Sequence, residues 1–173
     1  TLRAGDVMTH CYHDKNCKLV DDHTQVCSIV REKQREGVLL DVGHGSGSFA
    51  WRVARPMLDQ GVLPDFLGSE LHTYNVHGPV FDLVTTLSKF LHLGMSVPEI
   101  IRRSTTTCAE WLGMADEIGT LKPGACADIT VLDIVDGEIP LTDSEGVTEI
   151  GRRQFDVRHC FRAGRRVGVV PLK

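Results

Sequence analysis

The chain has 173 residues and a formal net charge of −4, enough for one ordinary core and too mildly acidic to suggest nucleic acid or an anionic membrane as a partner. No stretch has the length and apolarity of a transmembrane span or the layout of a signal peptide, so a cytoplasmic location is expected. Six cysteines (Cys11, Cys17, Cys27, Cys108, Cys126 and Cys160) are scattered with no C-x-x-C pair, which argues against a zinc ribbon and for reduced, buried thiols.

Taken in order, residues 2–6 read as a turn and Val7 to Tyr12 as a short buried strand, with His10 and His13 at its end. Residues 14–23 are polar and aperiodic, a long loop with Thr24 as a candidate helix cap. Val26, Ile29 and Val30 mark one face of a helix that ends near Gly37. A second strand spans 38–42, and its helix spans about 49–60, where Pro56 predicts a kink or a later start near Arg55.

Residues 66–72 form a third strand and loop that ends in a polar cluster of Glu70, His72, Tyr74, Asn75 and His77. Leu83, Leu87, Phe90 and Leu91 recur at helical spacing between Asp82 and Gly94, with Asp82 read as a cap. Ser96 and Glu99 form a capping box for the next helix, and Thr105 to Thr107 lead into residues 108–113. Trp51 and Trp111 read as helix-packing residues. From Asp116 the pattern changes: turns, then an alternating strand over 127–133, then a closing hairpin of 155–159 with 162–170 across Ala163-Gly164-Arg165.

The stretch that organises this pattern is 38–49. A buried apolar run ends in Asp41-Val42-Gly43-His44-Gly45, and a Gly/Ser turn leads into a helix. Loops at the carboxyl ends of such strands carry chemistry, so His44 is expected to face a ligand or else to sit in a capped turn. A phosphate-binding reading of 43–48 fails, because the stretch has neither the G-x-x-x-x-G-K-[ST] nor the G-x-G-x-x-G spacing.

Three segments carry a family resemblance: Gly5-Asp6-Val7-Met8-Thr9-His10-Cys11, Asp41-Val42-Gly43-His44-Gly45, and Ile118-Gly119-Thr120-Leu121-Lys122-Pro123-Gly124-Ala125-Cys126-Ala127-Asp128-Ile129. With Gly78-Pro79-Val80-Phe81-Asp82-Leu83, they resemble the amidohydrolase superfamily, and within it the dihydroorotase-like, deacetylase-type metal-dependent enzymes. The resemblance implies an α/β fold: the last three β/α units of a (β/α)8 barrel over residues 1–115, and part of a small β-sandwich over 116–173. It implies His10 as a metal ligand at the end of strand six. At strand eight the family has a catalytic, metal-binding aspartate, and Ser69-Glu70-Leu71-His72 offers Glu70 in its place. His44, Gly45, His72 and Asn75 would line the substrate pocket.

The implied reaction is hydrolysis of an amide, or of an ester, in a small acylated substrate by water bound to one or two divalent metals, zinc by preference. The alternative is a non-catalytic remnant that serves as a structural or interaction module. Three β/α units cannot close a barrel, so the chain is expected to be a fragment whose partner is the missing N-terminal half or a second copy.

Overall fold

A computed structural model describes residues 1–15 and 18–168. The short strand β1 (Val7–Met8) pairs in parallel with β2 (Leu39–Leu40), and single parallel bridges join Asp41 to Phe66 and Tyr12 to Phe49. The parallel layer continues past the regular ladder. Val42 N–H donates to the Phe66 carbonyl at 3.1 Å, His44 N–H to Gly68 at 3.0 Å and Gly45 N–H to Ser69 at 3.1 Å. Three chain segments therefore run side by side and end together.

Helix α1 (Ser28–Arg35) returns between the first two segments, and α2 (Trp51–Asp59) between the second and third. After the third segment come α3 (Leu83–His92), α4 (Val97–Ser104) and the short α5 (Thr106–Trp111). The local signals for α3 and α4 hold. The Asp82 carboxylate accepts from Thr85 N–H at 2.5 Å, and Ser96 Oγ accepts from Glu99 N–H at 3.4 Å. The Glu99 carboxylate turns instead to Arg102 and Arg103, one turn on.

Several local expectations are corrected. Thr24 does not cap α1: it sits at a φ of 62°, and the helix starts four residues later behind Cys27. Pro56 lies inside α2 without delaying its start at Trp51, and the one bond forgone is the N–H that would have reached the Arg52 carbonyl. The first and third strands shrink to two residues and a single bridge, since an open three-segment layer has few partners to propagate a ladder. Trp111 packs on Phe66 with ring centroids 5.7 Å apart, yet it is half exposed and its indole N–H donates to the Gly5 carbonyl. Cys11 is buried as expected, but Cys126 is exposed. Cys17 and the end of the closing hairpin, residues 169 and 170, lie outside the described residues.

The largest departure is β3 (Ile129–Thr142), which pairs antiparallel with β4 (Thr148–Arg162) over nearly its whole length. The sequence pattern ended this strand at 133 and left 134–154 unassigned. Strand β5 (Arg165–Val167) then pairs with β4 across Ala163-Gly164, as the turn residues indicated. Neither β3 nor β4 buries much of itself: Leu141 and Phe155 are buried in the main core, and Leu132 and Ile139 pack partly buried against it.

That core lies between the parallel segments and helices α1 to α4. Phe49, Phe90, Tyr12 and Trp51 pack edge to face around it, with centroid separations of 4.9 to 5.9 Å. The tip of the β3–β4 hairpin is bound to α2 by one buried carboxylate. Asp143 Oδ2 accepts from Trp51 N–H at 3.0 Å, and Oδ1 accepts from Glu145 N–H and Val147 N–H at 2.8 and 2.9 Å. Residue 50 is alanine and offers no cap, so Asp143 supplies from a distant turn the acceptor that the start of α2 needs. Asp143→Ala should cost about 3 kcal/mol, because it orphans the buried Trp51 N–H and removes the charged acceptor that closes the Glu145–Val147 turn. Urea unfolding of the two proteins, compared at equal slope, measures that loss.

Candidate functional site

The three parallel segments end at one face, and the candidate residues gather there. His10 follows β1, Gly43 to Gly45 follow β2, and Glu70 follows the Phe66 segment. His10 Nδ1 lies 2.7 Å from the Gly43 carbonyl oxygen, which can only accept, so Nδ1 carries the proton. Nε2, the nitrogen that Gly43 does not engage, lies 3.3 Å from Glu70 Oε1. The structure thus brings together the two residues assigned to metal, one imidazole nitrogen and one carboxylate oxygen.

Both residues hold left-handed backbone conformations, with φ of 59° for His10 and 48° for Glu70. Such conformations cost non-glycine residues about 1 kcal/mol or more and persist where the surroundings enforce them. The glycines opposite leave the room that these side chains need. A Cβ on Gly43 would stand 2.4 Å from Thr9 Oγ1 and 2.9 Å from His10 Nδ1. One on Gly45 would meet Glu70 Oε2 at 3.3 Å, and Gly45 itself sits at a φ of 48°. Below the face, Asp41 ties the floor: Thr9 Oγ1 donates to its Oδ2 at 2.7 Å, and Gly68 N–H donates to its Oδ1 at 3.3 Å.

The residues expected to line a pocket divide into two groups. His72 is exposed at the rim, where its Nε2 lies 3.3 Å from Ser46 Oγ. Gly45 is buried beneath Glu70. Asn75 is fully buried and works on the loop itself: its Nδ2 donates to the Glu70 carbonyl at 2.9 Å, and its Oδ1 accepts from His72 N–H at 2.8 Å. His44 is also fully buried, and it faces inward rather than toward the His10–Glu70 face. Its ring stacks on Phe49 with centroids 4.8 Å apart, its Nδ1–H donates to the Gly45 carbonyl, and its Nε2 meets the Lys89 ammonium at 2.7 Å.

Lys89, whose ammonium meets His44, lies outside the residues that the sequence pattern singles out. Its signal was present, because Lys89 lies three residues after Thr86 and four before Leu93, on the inner face of α3. A lysine on such a face is ordinarily assigned to solvent. Burial pushes the Lys89 amine down to about 7, partly offset by the Asp143 carboxylate nearby. Burial and the Lys89 charge together push His44 down to about 4. Among the described residues, no cluster of three or more His, Cys, Asp or Glu side chains converges to hold a metal. His10 and Glu70 nevertheless offer the donor types zinc takes, with the second ring nitrogen of His10 fixed by a carbonyl as metal-binding histidines require.

Comparison with known proteins shows the family. The model of the amidohydrolase family matches residues 7–167. This chain belongs to that family. The amidohydrolase chain is 34% identical to a deacetylase of Brucella anthropi over 159 residues, which is 92% of this chain and 39% of that protein. It is 35% identical to a deacetylase of Enterococcus faecalis over 156 residues, 89% of this chain and 42% of that one. Among solved structures, an adenine deaminase superposes with a TM-score of 0.90 at 33% identity, covering 96% of this chain and 45% of the other. A dihydroorotase superposes with a TM-score of 0.81 at 31% identity and the same coverage. The chain therefore spans about two fifths of the length of the curated relatives it matches. No described helix is long and apolar enough to cross a membrane.

The buried histidine gives this fold a definite acid response. In the folded chain His44 takes up its proton only near pH 4, whereas in the unfolded chain it does so near the ordinary value of 6.5. The unfolded state thus gains protons first as pH falls. His44 should therefore take about 3 kcal/mol off the stability between pH 6.5 and 4 and add no further slope below that window. Urea midpoints measured across this range check the slope, and His44→Gln should flatten it.

Proposed function

We propose that this amidohydrolase chain is the C-terminal part of a metal-dependent hydrolase that cleaves the amide, or the ester, bond of a small acylated molecule. In this reading the three parallel segments are barrel strands six to eight, residues 1–115 are part of the barrel, and 116–173 are part of the sandwich. The observation that carries it is the approach of His10 Nε2 to Glu70 Oε1, at 3.3 Å across two strand ends whose backbones are held in costly conformations. The family match and the deacetylase relatives supply the reaction class.

His10 and Glu70 would hold a divalent metal, zinc by preference, together with ligands from the rest of the enzyme. The bound metal would supply a water of lowered pKa. Glu70 would act as the proton carrier beside that metal, its carboxylate taking a proton from the attacking water and giving it to the leaving nitrogen or oxygen. Gly45 keeps the space beside the carboxylate clear. His72, at the rim beside Ser46, contacts the substrate's polar end. Asn75, through the Glu70 carbonyl, fixes the loop from which the base projects. His44 acts from behind, holding the 43–45 turn.

Glutamate stands where the family pattern has aspartate, and its carboxylate reaches about one methylene further. In the full-length protein, Glu70→Gln should lower kcat for acetylated amino or hydroxy acids by about 10²–10⁴-fold. His10→Ala should lower zinc content, measured by elemental analysis, in the same preparations. Absence of turnover on any acylated substrate, with absence of bound metal in the unaltered protein, would instead assign the chain a non-catalytic structural role.

The chain also needs company. An open groove of about 480 Å³ runs along the third parallel segment, lined by Val7, Phe66, Leu67, Leu83, Trp111 and Leu112 among others. We assign it to the missing N-terminal half or, failing that, to a second copy of the chain. Native mass spectrometry of the isolated 173-residue chain should show dimers or larger species. Co-expression of the N-terminal half should convert them to a one-to-one complex.

A further inference from the structure

We propose that Lys89 is a positioning residue for the candidate site: its buried ammonium anchors the 43–45 turn that orients both His10 and Glu70. This rests on the proposed roles of those two residues and extends the site to a side chain on a helix behind it.

Lys89 is fully buried, and none of its contacts is a carboxylate. An ammonium in that position is costly unless each proton finds an acceptor. The three protons of Nζ have three acceptors: His44 Nε2 at 2.7 Å, the Pro79 carbonyl at 2.8 Å and the Thr142 carbonyl at 2.6 Å. The Phe49 ring, with its centroid 5.6 Å away, closes another side. Because Lys89 donates to Nε2, the His44 proton must sit on Nδ1, where it reaches the Gly45 carbonyl at 2.9 Å.

The turn so fixed has two working edges. On one, the Gly43 carbonyl accepts the His10 Nδ1 proton and so sets the tautomer and direction of the candidate ligand. On the other, Gly45 N–H donates to the Ser69 carbonyl, one residue before Glu70, and Gly45 lies against the Glu70 carboxylate. His10 and Glu70 thus share one bracket, the bracket hangs on His44, and His44 hangs on Lys89. A hydrophobic residue of similar length would fill the same space at less cost, but it would leave His44 Nε2 without a donor. The second acceptor, Pro79, stands at the start of the segment that follows the Glu70 loop, so the same ammonium also holds the far end of that loop.

The test uses the full-length protein labelled with 15N-histidine, in the unaltered form and as Lys89→Met. Ring nitrogen shifts report the tautomers of His10 and His44, and titration with Zn²⁺ alone reports affinity at the candidate site. The expected result for Lys89→Met is loss of the pure Nδ1–H tautomer at His44, partial loss at His10, and Zn²⁺ affinity weaker by about tenfold to a hundredfold. Lys89→Arg, which keeps the charge and donors, should retain more of both signals than Lys89→Met. Unchanged tautomers and unchanged Zn²⁺ affinity, whatever the melting temperature does, would overturn the proposal by making Lys89 purely structural. Should Lys89→Met not fold, His44→Gln breaks the same link from its other end, and an unchanged His10 tautomer there would overturn it equally. Failure of the unaltered protein to bind Zn²⁺ would count against the hydrolase reading, while the tautomers would still decide the role of Lys89.

Discussion

A single buried ammonium joins the parts of this chain that sequence keeps far apart. Lys89 comes from α3, His44 from the turn after β2, Pro79 from the loop after the third parallel segment and Thr142 from the end of β3. A buried charge is tolerable only when its hydrogen bonds are all made, so these segments must arrive together or not at all. Apolar packing alone would bring the same elements into contact but would allow them to slide. The directional demand of three N–H bonds fixes their register, and the candidate site inherits that register.

The site itself is built from backbone as much as from side chains. Two glycines supply the room, two non-glycine residues accept left-handed conformations, and the carbonyl of Gly43 engages His10 Nδ1 so that Nε2 is the nitrogen beside Glu70. Strain of this kind is retained when neighbouring contacts over-determine the position. Here those contacts are the 42–45 pairing with 66–69 and the Asp41 carboxylate beneath the face.

Attachment of the β3–β4 hairpin follows a related logic. Asp143 satisfies the start of α2 and its own turn at once. Around it, Arg52 spans Asp14 and Glu145, while Glu149 receives both Arg55 and the His92 Nε2. Half-exposed ion pairs contribute little each, so the buried Asp143 and Lys89 bonds hold the hairpin more firmly than these pairs do. The rest of the hairpin projects with few buried side chains, which suits a chain spanning about two fifths of its relatives' length.

Much was legible from the sequence by local rules. The apolar spacing of α3, the Asp82 and Ser96 caps, the turn at Ala163-Gly164 and the strand-end position of His10 all follow from interactions within a few residues. Those interactions are largely independent of the remainder of the fold. The motifs around Thr9-His10, Gly43-His44-Gly45 and residues 118–129 carried the family as well. Tertiary structure alone decided what depends on distant partners. It extended β3 to Thr142 because β4 was there to pair with it, and it turned His44 inward because a lysine forty-five residues away offers it a proton. It also made Asp143 the cap of a helix that has none of its own. Hydrogen bonds between remote residues leave no periodic trace in a sequence, and a lysine reads as a surface residue until the chain folds around it.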